Sequence, residues 1–203
     1  MDQNPTAGKR FDASHSHSYA RPLDRFPELA QLAAGLLCKP PALRGLSEAE
    51  ARCVVGYMQM LDYAKGSLLL RENDQVANGA MLLVLNGEVA VEITEPTKPG
   101  DAVTISALGA GALLGEMSLV DGEPRSTNCT ALSPVQAASL SRQGLDLLLA
   151  QQPTVAAKLL AEIASIIANR LRALSDQLRL YASLTESMQR EIDRLKKASS
   201  FER

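Results

Sequence analysis

The sequence predicts an α+β fold, an antiparallel β-barrel or jelly roll flanked by N-terminal helices and followed by a long C-terminal dimerisation helix. Three observations carry that expectation. Between residues 64 and 141 the apolar period is close to two, with turn residues roughly every ten positions. Before that stretch the apolar spacing is helical, and after it a heptad pattern runs almost to the end. The chain divides accordingly into a polar tail (1–21), N-terminal helices (22–63), the β-domain (64–141) and a C-terminal helical part (142–203).

The tail carries Pro5, Gly8 and Ser14-His15-Ser16-His17-Ser18 and reads as disordered. Two histidines without further ligands nearby make a poor metal site. From Leu23 onward, Leu29, Leu32, Leu36 and Leu37 follow a helical face until Pro40-Pro41 breaks it. Ser47 with Glu50 three residues later is a capping box, opening a helix expected to run through Val54, Tyr57, Met58 and Leu61.

Strands are expected at Ser67–Leu70, Ala80–Leu85, Val89–Ile93, Val103–Leu108, Thr127–Leu132 and Val135–Leu140. Glu72-Asn73-Asp74 makes a turn, Asn86-Gly87 is a strong hairpin signal, Pro96–Asp101 is a loop, and Ser133-Pro134 separates the last two strands. Arg142–Ala150 reads as a short helix. Pro153 suits a first helical turn and opens a long one toward Lys197. Leu160, Ala164, Ile167, Leu171, Leu174, Leu178, Tyr181, Thr185, Met188, Ile192 and Leu195 alternate in steps of four and three, a heptad seam with Thr185 as its polar break. Such a stripe needs a partner helix, and a parallel homodimer is the simplest. Folding back on the N-terminal helices is the other option.

Composition narrows the function. A net charge of −2 gives no general attraction to nucleic acid, and 3% aromatic residues with no Trp argue against base-stacking surfaces. Cys38, Cys53 and Cys129 lack metal-ligand spacing and read as free thiols in a reducing, cytoplasmic setting. Lys158, Glu162 and Arg170 interrupt the best apolar run, so no membrane contact is expected. No Ser/His/Asp or Cys/His grouping exists for catalysis, because both histidines lie in the tail.

One stretch carries chemistry, the cassette at 109–127. Gly109, Gly111 and Gly115 permit close backbone approach, and Met117, Leu119 and Val120 suggest a short helical turn packed on a core. Its first N–H groups would face an anion, Arg125 offers a planar donor fork, and Ser126 adds a hydroxyl. Glu116 would repel a phosphate unless it accepts from a neutral group on the same ligand, such as a ribose hydroxyl. A ligand with a phosphate and a free sugar hydroxyl close together satisfies both.

Gly115-Glu116 followed by Asp121-Gly122-Glu123-Pro124-Arg125-Ser126 resembles the phosphate-binding cassette of cyclic nucleotide-binding domains. The resemblance runs from roughly Leu61 to Leu178 and includes Arg71-Glu72-Asn73-Asp74, Asn86-Gly87-Glu88-Val89 and Leu108-Gly109-Ala110-Gly111. It implies Arg125 and Ser126 on the exocyclic phosphate, and Glu116 on the ribose 2′-hydroxyl. Gly115, Met117 and Ser118 would complete the cassette, with Leu114, Leu85 and Val103 along the sugar and base. Where the family's dimer helix closes over a purine, Arg170 matches an arginine. Leu174 stands where a hydroxyl is expected, and Ser175 follows it. Thr127 could reach a guanine amino group. The resemblance therefore implies a non-enzymatic cyclic nucleotide sensor, cAMP preferred, with cGMP and cyclic dinucleotides open and no cofactor. It would act as a homodimer on an unknown effector protein. Because the chain ends at Phe201-Glu202-Arg203, no helix-turn-helix and no DNA partner are expected. A structural interaction module with a degenerate cassette is the alternative.

Overall fold

The computed structural model describes residues 20–74, 79–94 and 102–201, side chains at 102, 193 and 195–201 excepted. The tail as far as residue 19, with both histidines, and the expected loop at 96–101 lie outside the described residues. The chain forms two compact units, Met1–Leu160 and Ala161–Arg203.

The described part of the first unit opens with strand β1 (Arg21–Pro22). A 3-10 turn at Leu23–Arg25 and helix α1 (Pro27–Leu37) follow. Helix α2 (Glu48–Val55) starts on the expected capping box. Ser47 Oγ accepts from the Glu50 N–H at 3.3 Å, and Glu50 Oε2 accepts from the Ser47 N–H at 2.8 Å. The helix stops at Val55, however, and the segment with Leu61 is strand β2 (Gln59–Tyr63). A helix through Leu61 would forgo the five-residue antiparallel ladder that β2 forms with Val135–Ser141.

The same capping carboxylate also pairs with Lys158. That ion pair, then the Ser47 N–H, holds the Glu50 carboxyl at about 2, against an ordinary 4.5. A folded-state pKa below the unfolded one stabilises at neutral pH and is lost as pH falls from 4.5 toward 2. Thermal unfolding followed across that window should show the melting temperature falling, with a shallower fall in Glu50→Gln. An equally steep fall in the variant would remove Glu50 from the account.

The remaining strands are β3 (Leu68–Leu70), β4 (Ala80–Asn86), β5 (Val89–Thr94), β6 (Ala102–Leu108), β7 (Leu113–Leu114), β8 (Asn128–Ala131) and β9 (Val135–Ser141). They build two antiparallel sheets, ordered β1-β2-β9-β4-β7 and β3-β8-β5-β6. Both sheets keep free edges, so the domain is a jelly-roll sandwich and not a closed barrel. Leu82, Val84, Leu114, Val135 and Ala137 of the first sheet meet Val89, Cys129 and Ala131 of the second in the interior.

Asn86-Gly87 corrects a second expectation. Its turn is tight, with Gly87 at φ +92°, but the strands it joins do not pair. β4 lies between β9 and β7, while β5 lies between β8 and β6. The turn is a corner carrying the chain from one sheet to the other. It is stitched to the equivalent corner between β8 and β9, where the Glu88 N–H donates to Ser133 Oγ at 3.0 Å and the Leu132 N–H to Glu88 O at 2.8 Å.

Helix α3 (Glu116–Asp121) interrupts the strands as expected. Helix α4 (Arg142–Gln151) is capped by Ser141, whose Oγ accepts from the Gly144 N–H, and buries Leu145 and Leu148. Helix α5 (Pro153–Phe201) begins in the first unit, burying Ala156 and Leu159, and makes up the described part of the second. There the seam residues Leu171, Leu174, Leu178, Tyr181, Met188 and Ile192 are all exposed on the single chain. No described helix is long and apolar enough to cross a membrane.

Candidate ligand-binding site

Gly115 lies between β7 and α3 and sets the entry to the cassette. It caps α3 at φ +71°, a left-handed conformation that other residues rarely adopt. A Cβ there would also collide with Arg125 Nη1 and stand 2.9 Å from Ala80 O. The glycine is therefore required twice, for the turn and for the guanidinium seated against it.

Arg125 is 5% exposed and Glu116 1%, which makes them conspicuous among buried polar side chains. Arg125 Nη1 donates to Gly115 O at 2.8 Å and Nη2 to Ala80 O at 2.7 Å. The guanidinium so ties the cassette entry to the first residue of β4. Its own main chain is held by the turn at Asn73-Asp74. The Asn73 N–H donates to Arg125 O at 2.8 Å, and the Arg125 N–H to Asp74 O at 3.4 Å.

Nε of Arg125 is buried and has no hydrogen-bond partner among the described residues. Burial lowers the pKa of Arg125 from its ordinary value, opposed in order by Cys129, Asp74, Glu116 and Tyr63. Tyr63, enclosed beside it, is pushed up to about 12 by burial, with Arg125 pulling the other way. The bonds found for the guanidinium run to neutral carbonyls, and burial works against its charge. Such a cation favours an added anion, and the orphaned Nε supplies a donor for one.

The structure brings Gly115, Glu116 and Arg125 together, with Ser118 buried on α3. Leu114 on β7 joins the interior cluster. Ser126 is exposed and Thr127 half-buried. Met117 and Val120 do not pack on a core, as both are 43% exposed; only Leu119 of the three apolar residues is buried. A helix of six residues can turn only part of its circumference inward.

Leu85 is buried at the register irregularity between Val84 and Asn86, outside the interior cluster that holds Leu82 and Val84. Val103, paired with Ile93 at the edge of the second sheet, is 46% exposed. Arg170, Leu174 and Ser175 lie on α5 in the second unit. There Leu174 is 56% exposed, and Ser175 Oγ donates to Leu171 O at 2.9 Å within its own helix.

Sequence reasoning missed Ala80, whose carbonyl anchors Arg125, because a main-chain acceptor leaves no side-chain signal.

The family model for the cyclic nucleotide-binding domain matches residues 60–152, from β2 through α4 with the whole cassette inside. A solved cyclic nucleotide-binding domain from Methylobacillus flagellatus is 34% identical, with a TM-score of 0.66, over 79% of this chain and 85% of that one. The chain belongs to the cyclic nucleotide-binding domain family.

Among curated relatives, the chain is 32% identical to the cyclic AMP receptor protein of Thermus thermophilus, over 65% of this chain and 57% of that one. It is also similar to the crystal structure of the Thermus thermophilus catabolite activator protein, at 31% identity and a TM-score of 0.59, covering 68% of this chain and 62% of that one. The chain spans only 57–60% of the length of the first curated relatives it matches.

Proposed function

We propose that the protein is a non-enzymatic sensor that binds a cyclic nucleotide, cAMP by preference, and signals occupancy through its helices to a partner protein. The observation that carries this reading is the buried Arg125 guanidinium, whose Nε has no partner among the described residues and whose tips bond neutral carbonyls. A monoanionic phosphodiester would supply the missing acceptor and a full negative charge against the guanidinium. Ser126 would donate to the same phosphate, and the first-turn N–H groups of α3 would add to it. Glu116, buried beside the guanidinium, would accept from the ribose 2′-hydroxyl. Val103 would pack along the sugar and base, with Thr127 a candidate for reading the base. The preference for cAMP rests on the similarity to a cyclic AMP receptor protein.

The exposed seam from Leu171 to Ile192 supports a homodimer through α5. Nucleotide would then shift the population between helix arrangements.

One observation favours the rival, a structural module with a degenerate cassette. Arg125 already has a structural task, since its two terminal nitrogens join β4 to the cassette. Calorimetric titration with cAMP, cGMP and cyclic dinucleotides, alongside sedimentation of the same sample, separates the two. The sensor reading expects a dimer that binds one nucleotide per chain, cAMP most tightly. Heat from none of the ligands would leave the structural module. A monomer at micromolar concentration would overturn the dimer.

A further inference from the structure

We propose that Arg142 is the positioning residue that passes the state of the cassette to α4. This rests on the reading of the cassette as a nucleotide site. The last carbonyls of a helix lack donors within the helix and must find them elsewhere. In α3 two of them find Arg142. Its Nη1 donates to Leu119 O at 3.1 Å and, more weakly, to Val120 O at 3.4 Å. Its Nε lies 3.4 Å from Asp146 Oδ1, one turn further along α4, which aims the side chain back toward the cassette.

The main chain makes a second link at the same place. The Arg142 N–H donates to Gly79 O at 2.9 Å. Gly79, just ahead of β4, lies against the α3 backbone, where a Cβ would stand 2.5 Å from Ser118 O. Three segments thus meet at the first residue of α4, which is the end of α3 opposite the Gly115 entry.

The far end of α4 is held independently, by Tyr57 Oη donating to Gln151 Oε1 at 2.8 Å. Leu145 and Leu148 fix its inner face. A displacement of α3 on ligand binding would therefore reach the entry of α4 through the guanidinium, and α4 leads directly into Pro153 and α5. Arg142 and Asp146 are about half exposed, at 47% and 59%, so their ion pair adds little stability and serves mainly to set direction.

The test uses the full chain and compares Arg142→Leu and Arg142→Lys with the parent by amide hydrogen exchange, with and without cAMP. With ligand, the parent should change protection in both α3 and α4. Arg142→Leu should keep the change in α3, bind cAMP within about threefold of the parent, and lose the change in α4; Arg142→Lys should restore it in part. An undiminished α4 response in Arg142→Leu overturns the proposal. So does loss of the response that lysine fails to restore. Failure of the parent to bind any cyclic nucleotide would instead sink the sensor reading. The junction is then judged in the nucleotide-free protein, where Arg142→Leu should speed exchange at Gly122 and along the first turn of α4 by about tenfold, leaving β4 and β9 unchanged. Faster exchange in α4 alone, with Gly122 as in the parent, overturns the junction as well.

Discussion

Arg125→Ala should weaken cyclic nucleotide binding by at least about 2 kcal/mol, roughly thirtyfold in Kd, because it would remove the proposed charge-assisted contact to the phosphate. The sequence alone suggests a variant that folds normally. The structure adds a second effect. Truncation also takes one donor from Ala80 O and leaves Gly115 O with the long Leu119 N–H bond at 3.4 Å, at about 1–3 kcal/mol for a buried acceptor left unmet, offset in part by removing a desolvated cation. Lower thermal stability should therefore accompany the lost binding, with the far-ultraviolet circular dichroism spectrum retained at low temperature. Arg125→Lys separates the two effects, since it keeps a cation but cannot reach both carbonyls and a phosphate at once. Unchanged nucleotide affinity in Arg125→Ala would refute the role assigned to the guanidinium, whatever happens to stability.

Gly115→Ala should be at least as damaging from a change of one methyl. The residue sits at φ +71°, where a side chain costs about 1–2 kcal/mol, and the added carbon collides with Arg125 Nη1. Ala80 O would stand 2.9 Å from the same carbon, so a shift of the guanidinium alone would not clear the site. The expected result is a loss of about 2–4 kcal/mol in chemical denaturation, with nucleotide binding too weak for calorimetry, because the cassette entry and its arginine are displaced together. A denaturation midpoint and a Kd both matching the parent would mean that Arg125 is not seated against Gly115 in solution.

These outcomes turn on contacts that the sequence shows unevenly. Features written in neighbouring residues were legible. Ser47 and Glu50 name a helix start, Pro153 and the heptad name a long helix, and Gly115 with the apolar residues after it names the short helix α3. Features that depend on distant strands were not. Asn86-Gly87 carries the same local signal whether its strands pair or part, and only the placement of β9 beside β4 and β8 beside β5 decides. The segment containing Leu61 fits a helical face as well as a strand, until β9 provides a ladder. The Arg125 site followed the same rule. Its residue type was readable, while its seat between Gly115 O and Ala80 O came from strand placement.

That dependence reaches back to how the molecule is made. Strand β9 is the central member of its sheet, bonded on one side to β2 and on the other to β4, yet of the described strands it is the last to leave the ribosome. Until residue 141 has emerged, β2 and β4 have no common neighbour, and their apolar faces wait unpaired. Nascent chains stalled short of that point should remain open to chaperones and proteases, and the recognition pocket should mature only when synthesis has passed it.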